Sequence, residues 1–136
     1  MRGTGDARAP FFTDQDEKRL LYELSQMSNK NHLRLTKLAL TTGFRRSELL
    51  NLNWSNIDLK KRIIYIYRKN CAATDNASVM RLVPLPEQAE KILEESNERN
   101  GKVIELSKGA ARNGFDKARK RAGLQTLRFH DLRHIA

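Results

Sequence analysis

The amino-acid sequence predicts an α+β domain, mostly helical, with a small three-stranded antiparallel sheet. Three observations carry this. Apolar residues recur at helical spacing in the first and last thirds of the chain. Between them, Ile63-Ile64-Tyr65-Ile66-Tyr67 is β-branched or aromatic throughout, as strands prefer. The connections carry Gly, Pro and Asn at the points where a helix must stop or a chain must turn. The 136 residues fit one domain or part of a larger one, and are enough to bury a core without cross-links.

The elements follow in order. Residues 1–12 read as a flexible lead-in rich in Gly, Pro and charge. Thr13, with Asp16 three residues on, forms a near capping box for a helix over 14–28, whose inner face is Leu20, Leu24 and Met27. A second helix over 31–42 turns Leu35, Leu38 and Ala39 inward and is stopped by Gly43. A short third helix over 45–52 faces Leu49, Leu50 and Leu52 to the core. After a turn at 54–58, strands are expected at Ile57–Leu59, at Ile63–Tyr67 and, beyond a polar loop from Asn70 to Ser78, at Met80–Pro84. Pro86 suits the first position of a helix that packs Ile92, with Leu85 beside it, and ends near Gly101. Another helix covers 107–122 and stops at Gly123. The last opens at His130. It has no C-cap before Ala136, so the expectation is a sequence cut inside a domain or lacking its natural completion.

Composition narrows the function. No apolar run reaches the ~18 residues of a membrane helix. Cys71 stands alone, which excludes a disulfide framework. Lys and Arg number 26 against 16 Asp and Glu, a net charge of +10 that favours a polyanionic partner, most often nucleic acid. Residues 102–136 concentrate this charge, with nine cations against three acids. Lys117, Arg119, Lys120 and Arg121 are candidates to track a DNA backbone, although each reads equally well as part of a solvated face.

Two clusters carry chemistry. On a helix, His130, Arg133 and His134 share a face. A proton-donating His beside a permanently charged Arg suits phosphate chemistry. A His pair at that spacing can also grip zinc, but Asp131 stands where a metalloprotease has Glu, and the third His, His32, is far off in sequence. In the second cluster, Thr42-Gly43-Phe44-Arg45-Arg46-Ser47-Glu48-Leu49, Arg45 opens a helix just past a glycine stop. Glu48, one turn on, is expected to orient its side chain. The plain alternative is an exposed Arg–Glu pair of little energetic weight.

Taken together, TGFRRSELLNLNWSNIDL, then Leu82-Val83-Pro84-Leu85, then HDLRH resembles the tyrosine recombinase, or phage integrase, family over residues 15–136. The resemblance implies that residues 13–136 form a partial recombinase catalytic domain. It implies DNA strand cleavage and rejoining through a covalent phosphotyrosine, without metal or nucleotide cofactor. On the matching positions it implies Arg45 and Arg133 as the two phosphate-binding arginines, His130 as the proton-transferring histidine, Glu48 and His134 as supporting groups, and Lys69, after the second strand, as the catalytic lysine. None of Tyr22, Tyr65 and Tyr67 matches the family's nucleophile. The family's later His or Trp and its separate DNA-clamping domain are not found either, so the chain alone is expected to be inactive and monomeric or loosely associated. The implied partners are double-stranded DNA and, in a full-length protein, other protomers; no membrane is implied, and the implied location is cytoplasmic and nucleoid-associated, for a bacterial or phage protein. The competing readings are a non-catalytic DNA-binding module, either helix-turn-helix-like or a decayed integrase, and a zinc hydrolase acting through His130 and His134.

Overall fold

The computed structural model of the protein describes residues 12–68 and 79–135. The lead-in up to residue 11, Lys69 and the loop from Asn70 to Ser78 lie outside them. The architecture is the α+β arrangement the sequence predicts: three helices, a three-stranded sheet, then three more helices.

Helix α1 (Asp14–Ser25) begins with a complete capping box. Thr13 Oγ1 accepts the Asp16 N–H at 3.1 Å, and Asp16 Oδ2 accepts the Thr13 N–H at 3.1 Å. That backbone hydrogen bond, reinforced by Arg19, holds the Asp16 carboxyl below its usual range against the opposing effect of desolvation. Leu20 and Leu24 are fully buried. The helix stops short of residue 28, and side chains help to satisfy its last carbonyls: Ser25 Oγ donates to the Tyr22 carbonyl at 2.6 Å, and Lys30 Nζ to the Ser25 carbonyl at 2.8 Å. Helix α2 (Asn31–Thr42) runs as expected, with Leu35, Leu38 and Ala39 buried. It packs against α1, α3 (Arg46–Leu50), α4 (Glu87–Glu94), α5 (Lys108–Arg121) and α6 (Leu132–Ile135), and so forms the axis of the domain.

The sheet runs β1 (Ile57–Asp58), β2 (Ile63–Arg68), β3 (Val79–Pro84) in that spatial order, antiparallel throughout. Ile64 and Ile66 point into the core, while Tyr65 pairs with Leu82 on the outer face. Pro86 caps α4 from outside rather than occupying its first turn. The helix ends at Glu94, well before Gly101. Tertiary pairing overrides helix propensity here: the segment at 101–103 runs back along 52–54, with the Trp54 N–H donating to the Gly101 carbonyl at 2.9 Å and the Val103 N–H to that of Leu52 at 3.0 Å. The final stretch also differs from expectation. Phe129–Asp131 form a single 3₁₀ turn, and α6 starts only at Leu132.

The contact between α2 and α5 is unusually close at one point. A Cβ on Gly114 would lie 2.3 Å from two ring atoms of His32, so this imidazole lies directly against the glycine. His32 is therefore a packing group of the helix interface. Gly114→Ala is expected to destabilise the fold by roughly 1–3 kcal/mol, as overpacking does. Gly109→Ala in the same helix, with nothing within 4 Å of the new methyl, is expected to be neutral or to stabilise by up to ~1 kcal/mol. Urea denaturation of the two variants gives the comparison.

Burial lowers the His32 pKa from its ordinary 6.5. As pH falls below about 6.5 the unfolded chain takes up a proton before the folded one does. Stability present above that pH should then be lost as pH drops. Melting temperatures between pH 7.5 and 5.5 are expected to fall for the parent and to fall less for His32→Gln.

Candidate functional site

The site is built where α2 ends. Gly43 adopts φ 73°, ψ 12°, a left-handed conformation that glycine reaches without the Cβ penalty. Its N–H donates to the Ala39 carbonyl at 3.0 Å. Thr42 Oγ1 donates to the Leu38 carbonyl at 2.6 Å and accepts the Phe44 N–H at 3.2 Å, so the chain leaves the helix in a fixed direction. Phe44 is buried, and Arg45 then takes extended backbone (φ −70°, ψ 152°) as the N-cap of α3. Its side chain is exposed, and no described residue hydrogen-bonds or pairs with its guanidinium.

Glu48 does not orient that guanidinium. Its Oε1 accepts the backbone N–H of Arg45 at 2.9 Å, and its Oε2 lies 3.7 Å from Arg81 Nη2 on β3. The reason is local geometry: a carboxylate three residues into a helix reaches back to the orphan N–H at the cap. Arg81 also lies over the Phe44 ring, 5.9 Å from its centroid.

Arg133, on α6, donates Nε to the Gly43 carbonyl at 2.9 Å. Its two terminal nitrogens have no hydrogen-bond acceptor among the described residues. His130 is exposed on the preceding turn. Asp131 is buried and accepts the Arg128 N–H at 2.9 Å, which caps that turn. The side chain of His134 lies outside the described residues, as does Lys69.

Arg45, His130 and Arg133 line one cleft of about 320 Å³. Arg46, Lys108 and Arg112 line it too, with Ser47, Leu50 and Phe129 completing the wall. Five permanent cations thus face the cleft, and among the described residues no carboxylate does. The sequence pointed to other cations of α5. Lys117, Lys120 and Arg121 are exposed but do not line the cleft, and Arg119 is engaged within the protein by Asp116 at 3.0 Å and by the Gln125 carbonyl. Lys108 and Arg112, at i and i+4, are the ones turned to the cleft; that spacing was visible, but which face of α5 meets α3 was not. Burial first, and the charge of Arg112 second, lower the Arg46 pKa, with Asp116 opposing. A larger cleft of about 400 Å³, between Trp54–Lys60, Tyr65 and Arg99, contains none of the predicted site residues. Among the described residues no three His, Cys, Asp or Glu side chains stand close enough to hold a metal ion, and no helix is long and apolar enough to cross a membrane.

The fold is shared with known proteins. The DNA-bound lambda integrase, residues 75–356, superposes with a TM-score of 0.68 at 21% identity, over 90% of this chain and 48% of that one. This establishes the fold: a mostly helical tyrosine recombinase catalytic domain with a three-stranded antiparallel sheet. The model of the phage integrase family matches residues 10–136, and the chain belongs to that family. It is 27% identical to the integrase of Salmonella phage P22 over 145 aligned residues, covering 93% of this chain, and 33% identical to the shufflon-specific DNA recombinase of Escherichia coli over 101, covering 73%. The chain spans 35% and 24% of the lengths of these two relatives.

The dual role of Glu48 gives a stability prediction. Glu48→Ala is expected to cost about 1 kcal/mol through loss of the cap, and Glu48→Gln clearly less, because an amide oxygen still accepts the Arg45 N–H. Urea midpoints measure the difference.

Proposed function

We propose that this chain is the arginine- and histidine-bearing part of a site-specific DNA recombinase catalytic domain, and that its cationic cleft receives a phosphodiester of double-stranded DNA. The observation that carries this reading is the convergence of Arg45, His130 and Arg133, distant in sequence, on one cleft that five cations and no carboxylate line among the described residues. The DNA complex of the lambda integrase, which shares the fold, supports the choice of ligand.

The chemistry follows from the side chains. When an oxygen nucleophile attacks phosphorus, negative charge builds on the non-bridging oxygens. The guanidiniums of Arg45 and Arg133 are always protonated and present paired donors, so they stabilise that charge without a metal. Arg133 keeps its two terminal nitrogens for this task, since its Nε is engaged by Gly43. His130 assists proton transfer from the attacking hydroxyl. Lys69 protonates the departing 5′ oxygen in this reading. Attack by a tyrosine hydroxyl forms the phosphotyrosine bond as the P–O5′ bond breaks; the reversal, by a DNA 5′-hydroxyl, rejoins the strand. Other recombinase protomers are the expected partners on paired sites, and the implied location is the nucleoid in the bacterial cytoplasm.

Among the described residues no tyrosine lines the cleft. Tyr22 is exposed on α1, and Tyr65 lies in the other cleft, beside Trp54. The second reading is a module that binds DNA without cutting it. A suicide DNA substrate separates the two. The chain as it stands is expected to give no covalent adduct by mass; an adduct would identify a tyrosine of this chain as the nucleophile.

Binding itself is tested by fluorescence anisotropy of a ~25-base-pair duplex at several salt concentrations. Arg45→Ala and Arg133→Ala are each expected to weaken binding by about tenfold and to reduce the salt slope by about one. Unchanged affinity and slope in both would overturn the assignment of the cleft.

A further inference from the structure

We infer that Arg46 is a positioning residue: its guanidinium, stacked on Phe129, holds the turn that carries His130 against the helix that carries Arg45. The inference rests on the proposed function and deepens it, since it names what fixes the histidine relative to the arginine.

The geometry is specific. Arg46 Cζ lies 5.0 Å from the centroid of the Phe129 ring. Phe129 is itself buried and held edge-on by Phe115, with centroids 5.2 Å apart and ring planes at 72°. The ring is therefore a fixed platform rooted in α5. Arg46 is the residue after Arg45, and Phe129 is the residue before His130. A single stacked contact thus joins the immediate neighbours of two predicted site residues. Arg46 is partly buried, where a cation over an aromatic face is worth more than in open water. Its charged neighbours are Arg112, in the cleft wall, which repels it, and Asp116, outside that wall, which attracts it and is also held by Arg119 at 3.0 Å.

A second attachment makes the first decisive. Arg133 Nε on the Gly43 carbonyl fastens α6 to the end of α2. That bond lies on one side of His130, and the Arg46–Phe129 contact lies on the other, so the turn is referenced to α3 as well as to α2. Arg45 differs from Arg46 in kind: it is exposed and its guanidinium has no partner among the described residues, so it is placed to meet a phosphate rather than to brace a turn.

The test uses isotopically labelled protein without DNA, so that its result stands whether or not the cleft binds DNA. Arg46→Leu is expected to move the His130 Cε1–H resonance and to speed amide exchange at Asp131, whose N–H donates to the Arg128 carbonyl at 2.9 Å, by roughly tenfold, while amides at the centre of α2 keep their rates. Arg46→Lys, which keeps the charge but not the flat stacking group, should restore part of both effects. Lys117→Leu, which removes an exposed charge of α5 that does not line the cleft, should leave both at their parent values. If Arg46→Leu does not fold, Arg46→Lys decides: a His130 signal and exchange rates identical to the parent overturn the inference. So does a folded Arg46→Leu protein whose His130 signal and Asp131 exchange rate match the parent.

Discussion

At Gly43 the chain turns through a left-handed residue, and the site depends on that turn. The positive φ ends α2 and sends the backbone at once into the extended conformation of Arg45. It also turns the Gly43 carbonyl outward, where the Nε of Arg133 meets it at 2.9 Å. The same few residues therefore launch one site arginine and anchor the other. A Cβ at this position would oppose the conformation on which both depend.

The second constraint is the centrality of α2. Every other helix touches it, so the sequence-distant halves of the site are referenced to one rigid axis. The segments before and after the sheet are tied to each other directly. Arg34 Nη1 donates to the Val103 carbonyl at 3.1 Å, Lys102 Nζ to the Leu50 carbonyl at 3.2 Å, and the Glu105 N–H to Asn31 Oδ1 at 3.0 Å. These bonds fix the segment leading into α5 against α2 and the end of α3, and Lys108 and Arg112 line the cleft together with Arg45.

The electrostatics of the cleft separate two kinds of charge. Arg46 is partly buried, and burial together with Arg112 makes its charged form less favourable than usual. Arg45 keeps its charge in solvent, where screening makes crowding tolerable. The nearby carboxylates serve the scaffold: Glu48 caps α3 from behind, Asp131 caps the turn that carries His130, and Asp116 faces Arg119. A cleft whose wall carries cations while its carboxylates are engaged elsewhere is preorganised for an anion.

The sequence by itself determined the helices with strong local signals. The capping box at Thr13 and Asp16, the spacing of Leu35, Leu38 and Ala39, and the stops at Gly43 and Gly123 involve residues within a turn or two of one another, so the chain carries them wherever it goes. It also determined which residues were candidates for phosphate chemistry, because Arg45 and the HDLRH cluster are chemically conspicuous. Only the tertiary structure decided how they meet. The early end of α4 depends on 101–103 pairing with 52–54, and the 3₁₀ turn at Phe129–Asp131 on Asp131 being buried beneath it. Glu48 was assigned to the Arg45 side chain from spacing, yet it reaches back to the backbone and across to β3. Lys108, Arg112 and Arg46 carried no mark setting them apart from the other cations, since a charge at helical spacing looks the same on any exposed face. Which face becomes a cleft is set by what packs against the helix, and that is a property of long-range contacts rather than of any window of sequence.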